Sequence, residues 1–147
     1  MKTDEWEFLH VGLIVKDAEK TVEFYRDLGF ELLRKVTRFD KPLEQGGTRT
    51  TFIGVMGKGG GVLEILQPLE GKWCNREFLE TVGEGVNHIA FRVKDLEKER
   101  ARLTAMGFPV ILDSGHYLYF DVRRVGGLIF ELTDLAPAYP KSLSQPA

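Results

Sequence analysis

The sequence predicts an α+β fold made of two successive units of strand, helix and three strands, and three observations predict it. A histidine, an aspartate seven residues on and a Gly-Phe pair twelve after that occur twice, as His10, Asp17, Gly29, Phe30 and as His88, Asp95, Gly107, Phe108, all at an offset of 78. A second echo closes each copy: Gly60-Gly61-Val62-Leu63-Glu64 and Gly126-Gly127-Leu128-Ile129-Phe130-Glu131 both run from a glycine pair through apolar residues to a glutamate. Between these markers the hydrophobic period changes from two to helical and back. Four coincident residues at one offset mark a duplication.

Each element follows from local chemistry. At the start of each copy the residues alternate, with Leu9, Val11, Leu13 and Val15 on one side and His10, Gly12 and Ile14 on the other. Ile89, Phe91 and Val93 oppose His88, Ala90 and Arg92 in the same way, so both histidines point away from the main apolar face of their strand. Asp17 and Asp95 stand where a helix N-cap belongs, since a carboxylate accepts from the free N–H groups of the first turn. Gly29 and Gly107 stand where each helix must stop, at the left-handed position that glycine tolerates. Ala18, Val22, Tyr25 and Leu28 recur at helical spacing, and Leu96, Leu103 and Met106 do so less completely.

After each helix the chain turns β-rich, with strands expected over residues 30–37, 50–55 and 62–67, and over 110–112, 117–122 and 128–133. The two glutamates are 67 apart where the earlier markers are 78 apart, so the second copy is shorter, and a hairpin loop is the expected place for the deletion. The reading is one domain with module 1 at about 8–69, a linker at 70–85 with a short helical turn near 76–81, module 2 at about 86–134, and a tail at 135–147. Residues 136–147 hold three of the six prolines and little periodicity, and are expected to be peripheral or partly disordered.

Composition bounds the function. At 147 residues, 43% hydrophobic and 29% charged, the chain can bury a real core. A formal net charge of −2 leaves no basic excess for phosphate backbones, which argues against nucleic acid. No apolar run approaches the roughly 20 residues that span a bilayer, and the acidic N-terminus is unlike a secretory signal. The single cysteine, Cys74, reads as an incidental semi-buried thiol in a cytoplasmic protein.

Glu64 and Glu131 are the residues that demand an explanation, because a carboxylate desolvated without a partner costs several kcal/mol or protonates. A lone strand glutamate often faces water, and a lone strand histidine is more often a hydrogen-bonded core residue than a ligand. All four of His10, Glu64, His88 and Glu131 at repeated positions are another matter, since a pseudo-two-fold sheet would bring them to one cavity. Two imidazoles and two carboxylates suit Zn, Fe, Co, Ni or Mn and leave room for water or substrate. His116 has no counterpart in the first copy and is expected in a hairpin. Arg123-Arg124 reads as an exposed turn, and the glycine pairs as hairpin turns, since they open no helix.

Three segments carry a family resemblance: His10-Val11-Gly12 leading to a helix with Phe24-Tyr25 that ends Leu28-Gly29-Phe30; Leu63-Glu64-Ile65-Leu66-Gln67-Pro68-Leu69; and Gly83-Glu84-Gly85-Val86-Asn87-His88-Ile89-Ala90-Phe91. Over about residues 8–134 the chain resembles the vicinal oxygen chelate superfamily, the group of glyoxalase I, methylmalonyl-CoA epimerase, extradiol dioxygenases and the fosfomycin and bleomycin resistance proteins. The resemblance implies two tandem βαβββ modules forming a curved mixed β-sheet around a metal cavity. The second and third segments look most like methylmalonyl-CoA epimerase, and the four-residue set is similar to that of glyoxalase I.

By the same resemblance His10, Glu64, His88 and Glu131 would hold one divalent metal ion, Zn, Ni, Co, Mn or Fe, and Glu131 would also be the catalytic carboxylate. The implied activity is a metal-dependent isomerase or lyase that removes a proton next to a metal-bound carbonyl through an enolate. Its competitors are an iron-dependent extradiol-type dioxygenase and a non-catalytic small-molecule binding protein of the resistance type. The expected partners are a small-molecule substrate and a second copy of the chain as a homodimer, with neither nucleic acid nor membrane. Where the epimerases carry a further glutamate in their early strands, Thr48 to Phe52 supplies no carboxylate and Glu44 falls in a loop. The stretch from Asp113 to Asp121 also lacks their His-Pro-Lys-like turn.

Overall fold

A computed structural model describes residues 5–43 and 47–140; Glu44 lies outside these. The element order is β1 (Glu7–Ile14), α1 (Ala18–Asp27), β2 (Glu31–Pro42), β3 (Thr48–Lys58), β4 (Gly61–Glu70), α2 (Cys74–Thr81), β5 (Gly85–Arg92), α3 (Leu96–Ala105), β6 (Val110–Asp113), β7 (Tyr117–Asp121) and β8 (Ile129–Thr133). Strand, helix and three strands therefore occur twice, with α2 between them. Asp17 caps α1 by accepting from the Lys20 N–H, and Asp95 caps α3 by accepting from the Lys98 N–H. Gly29 and Gly107 follow the helix ends with φ of 98° and 89°, a conformation that any side chain would strain.

All eight strands form one mixed, curled sheet in the order β2-β3-β4-β1-β5-β8-β7-β6. The halves meet at the antiparallel β1–β5 pair, and within each half the first strand runs parallel to the last, β1 with β4 and β5 with β8. Two parallel pairs back to back give the sheet a pseudo-two-fold axis between β1 and β5. The axis passes close to both histidines.

Helix α1 packs Ala18 and Val22 against Val15, Met56 and Ile65, while α3 packs Leu96 and Leu103 against Val93, Phe120 and Leu132. The opposite face of the sheet is also covered. There Ile14, Leu33, Ile53 and Leu66 pack around Tyr139, and Leu112, Tyr119 and Ile129 pack against Trp73 and Cys74. Alternation along β1 thus separates two buried faces, not an apolar face from a wet one. Leu28 and Met106, read as apolar helix positions, are more than half exposed because each is the C-cap residue beyond the last buried turn.

Two expectations change. The shorter second half loses strand as well as loop: β2 and β3 have 12 and 11 residues, β6 and β7 only 4 and 5. A hairpin can shorten from its tip with both arms retreating in register, so the pairing that remains is undisturbed. The tail also departs from the peripheral reading as far as it is described. Residues 135–139 line a cavity, and Tyr139 is 8% exposed, because an aromatic ring filling a concave sheet outweighs the weak periodicity of its segment.

Candidate metal centre

The register of four strands assembles the site. Gly12 on β1 lies opposite Glu64 of β4 on one side and His88 of β5 on the other, and Ala90 on β5 likewise separates His10 of β1 from Glu131 of β8. Two adjacent rows across the sheet thus each present one histidine and one glutamate around a small central residue. The four side chains meet: one ligand atom from each lies within 4.8 Å of all the others. His10 Nε2 is 3.4 Å from Glu64 Oε1 and 3.6 Å from Glu131 Oε2, and His88 Nε2 is 3.8 Å from Glu64 Oε1.

The outer nitrogens are held. His88 Nδ1 is 2.7 Å from the Asn87 side-chain oxygen, and Asn87 Nδ2 donates to Asn75 Oδ1 at 2.8 Å. His10 Nδ1 is 2.8 Å from the Tyr139 hydroxyl. An amide oxygen only accepts, so His88 Nδ1 donates to it and Nε2 is the nitrogen that faces the cluster. The Tyr139 hydroxyl can serve His10 in the same sense. Such partners orient imidazoles and fix their tautomers in metal sites.

Electrostatics favour a cation at the centre. Burial alone would lower the pKa of His10, but the carboxylates of Glu64 and then Glu131 outweigh it and raise the pKa to about 9. Burial would push Glu64 upward, yet His10 and then His88 hold its carboxyl well below the usual carboxylate range. The carboxylates thus draw a proton onto His10, in a place where a divalent cation would serve them better. His10 Nε2 is buried and makes no hydrogen bond of proper geometry, the mark of a donor atom that a metal would satisfy. The set fits a borderline divalent ion.

The centre opens into a cavity of about 250 Å³ walled by β2, β3, β7 and residues 135–139, with Arg34, Arg49 and Tyr117 at its sides. His116 lies elsewhere, exposed and 3.2 Å from Asp134. Arg123 pairs with Asp121, and Arg124 reaches the Met106 carbonyl and lies over the Phe108 ring, so both brace a turn. Cys74 is buried, and loss of solvent pushes its thiol up to about 12. We expect Cys74 in the native protein to resist a disulfide reagent at pH 8, where roughly one thiol in 10⁴ would be ionised. Labelling should appear only on unfolding; rapid reaction of the folded protein would show that the thiol is accessible.

Gly12, Asn87, Arg49 and Tyr139 escaped the sequence reading. A methyl group built on Gly12 would lie 1.9 Å from His88 Cε1 and 2.2 Å from its Nε2, so the imidazole occupies the space a side chain would fill. An isolated glycine inside a strand does signal such a close approach. Asn87 precedes a candidate ligand, but nothing local says which side chain its amide meets. Arg49 and Tyr139 reach the site only through tertiary structure.

The sequence profile of the Glyoxalase/Bleomycin resistance protein/Dioxygenase superfamily matches residues 9–125. The chain belongs to this superfamily. It is 30% identical over 139 residues to the mitochondrial methylmalonyl-CoA epimerase of Mus musculus, covering 84% of this chain and 70% of that one. The crystal structure of methylmalonyl-CoA epimerase from Mycobacterium tuberculosis is similar in fold, with a TM-score of 0.66, 23% identity and 89% of each chain covered. A methylmalonyl-CoA epimerase in complex with methylmalonyl-CoA and NH4+ is similar with a TM-score of 0.62 and 26% identity, over 86% of this chain and 92% of that one. In this member of the superfamily no helix among the described residues is long and apolar enough to cross a membrane.

Proposed function

We propose that this superfamily member is a divalent-metal-dependent epimerase-type isomerase that moves a proton on the carbon next to a substrate carbonyl, with Glu131 as the base. The observation that carries the reading is the convergence of His10, Glu64, His88 and Glu131 beside a cavity of about 250 Å³. The likeness to methylmalonyl-CoA epimerases supports isomerase chemistry over the lyase, dioxygenase and binding-protein alternatives. A cytoplasmic location and a homodimer belong to the same reading.

His10, Glu64, His88 and Glu131 would hold the ion. When bound, a divalent ion of this kind polarises a carbonyl oxygen and stabilises the negative charge that grows as the neighbouring proton leaves. The two carboxylates are not equivalent. Glu64 lies within 3.8 Å of both histidine Nε2 atoms and is held ionised by them, whereas Glu131 is within 4 Å of His10 alone. Glu64 is thus the fixed anion and Glu131 the one free to swing toward a substrate proton, and epimerisation is complete when a proton is delivered to the opposite face of the planar enolate. Asn87 and Tyr139 keep the two rings from following that motion.

The test follows the substrate C–H signal by NMR in heavy water, using protein restored in turn with Zn, Ni, Co, Mn and Fe(II). The substrates are 2-methyl acyl thioesters, methylmalonyl-CoA first, and hemithioacetals of 2-oxoaldehydes. We expect about one metal ion per chain by elemental analysis, with exchange of a thioester α-proton that a chelator abolishes. If no thioester exchanges under any metal, the epimerase reading fails. Turnover of hemithioacetals instead would move the protein to lyase chemistry.

A further inference from the structure

The cavity that holds the two carboxylates is otherwise basic. Arg49 on β3, Arg34 and Lys41 on β2 all line it with Glu64 and Glu131. Arg49 is only 8% exposed, its Nε is buried without a hydrogen-bond partner, and its guanidinium lies 5.9 Å from the centroid of the Trp73 ring. Arg34 rests its guanidinium over Phe39 at 4.6 Å. Neither arginine nor Lys41 forms an ion pair with a described residue, while Glu64 and Glu131 are turned on His10. A guanidinium buried against an aromatic face with a free donor is a group waiting for an acceptor, because a buried N–H left unmet keeps the cost of its lost hydration. Among the described residues none accepts a hydrogen bond from that Nε–H.

We propose that Arg49, assisted by Arg34 and Lys41, forms an anion subsite that grips a carboxylate or phosphate group on the substrate while the carbonyl of the same molecule sits at the four-residue centre. Guanidinium groups bind either oxyanion through two parallel N–H donors, so the chemistry recognised is a planar or tetrahedral oxyanion close to the reacting carbon. A cavity of about 250 Å³ limits this reacting end to a small acid. The wall formed by β3 thus supplies a positive charge where a second base would need a carboxylate. This names the substrate class for the proposed isomerase and rests on that reading for the carbonyl, but the subsite itself stands on the arginines.

The test therefore begins with chelator-treated protein, in which the metal reading plays no part. Succinate and methylphosphonate are titrated at constant ionic strength with succinamide as the neutral control, and the Arg49 Nε–H signal is followed in ¹H–¹⁵N spectra. We expect both anions to shift that signal downfield and succinamide to leave it in place. The tighter of the two identifies the oxyanion as carboxylate or phosphate. Arg49→Met should weaken anion binding roughly 10–100-fold, the loss of a charged hydrogen bond, and Arg49→Lys should recover part of it. Metal content and circular dichroism of both variants are compared with the parent. Equal affinity for succinate and succinamide, or Arg49→Lys and Arg49→Met binding anions as the parent does, overturns the subsite. Absence of metal or of proton exchange would remove the isomerase reading and leave this result standing.

Discussion

Replacing Glu131 by glutamine is expected to slow exchange of the substrate proton by about 10²–10⁴-fold while sparing most of the metal binding. The amide oxygen keeps the size and position of one carboxylate oxygen and can still coordinate, but it cannot accept a proton at neutral pH. Glu131 is 5% exposed on β8, between Leu132 and Phe130 in sequence and beside Ala90 in the sheet, so glutamine fits without repacking. The same change at Glu64 should act differently. There the carboxylate is the partner of both histidines, and its loss should weaken metal binding first. Exchange rate at saturating metal and metal affinity by competition with a chromophoric chelator separate the two. If Glu131→Gln exchanges as fast as the parent, Glu131 is not the base and Glu64 takes its place.

The parts of this molecule that could be read in its sequence were those written twice. His10 and His88, Asp17 and Asp95, and Gly29 and Gly107 share one offset, and each has a local physical reason: alternation, capping, a left-handed stop. The duplication also implied that Glu64 and Glu131 share an environment, because copies of one unit placed about a two-fold axis bring equivalent residues to equivalent places. What was not repeated was not legible. The long β2–β3 hairpin has no equal in the second half, and it carries Arg49 into the cavity. Tyr139 comes from a segment rich in proline, where neither period shows, and its partner is 129 residues away. Such contacts depend on where the chain arrives after folding, which no local pattern encodes. The burial of both sheet faces was hidden for a related reason: alternation tells sides apart but does not say what covers them.

Gly12→Ala is the substitution expected to damage the centre most for the least change in chemistry. Gly12 and Ala90 occupy equivalent places in the two halves, each flanked by one histidine and one glutamate, yet only the second tolerates a methyl group. The difference lies in the rings. The His88 imidazole lies over Gly12, at 79° to the His10 ring with centroids 5.7 Å apart, whereas the Ala90 methyl is fully buried beside its own pair. A Cβ at position 12 would fall within 2.3 Å of three ring atoms of His88, so the ring must leave. It cannot do so freely, because Asn87 holds Nδ1 at 2.7 Å and Tyr119 packs its ring 4.9 Å from the imidazole centroid. Overpacking of a rigid core typically costs about 1–3 kcal/mol. The ring displacement should lower metal affinity about 10–100-fold, the effect of disturbing the groups that orient a ligand. Thermal unfolding of the chelator-treated variant reads the first quantity, and chelator competition reads the second. A variant that unfolds earlier but binds metal as the parent does would show that His88 can tilt without losing its place, and that His88 is not held as a ligand by the floor beneath it.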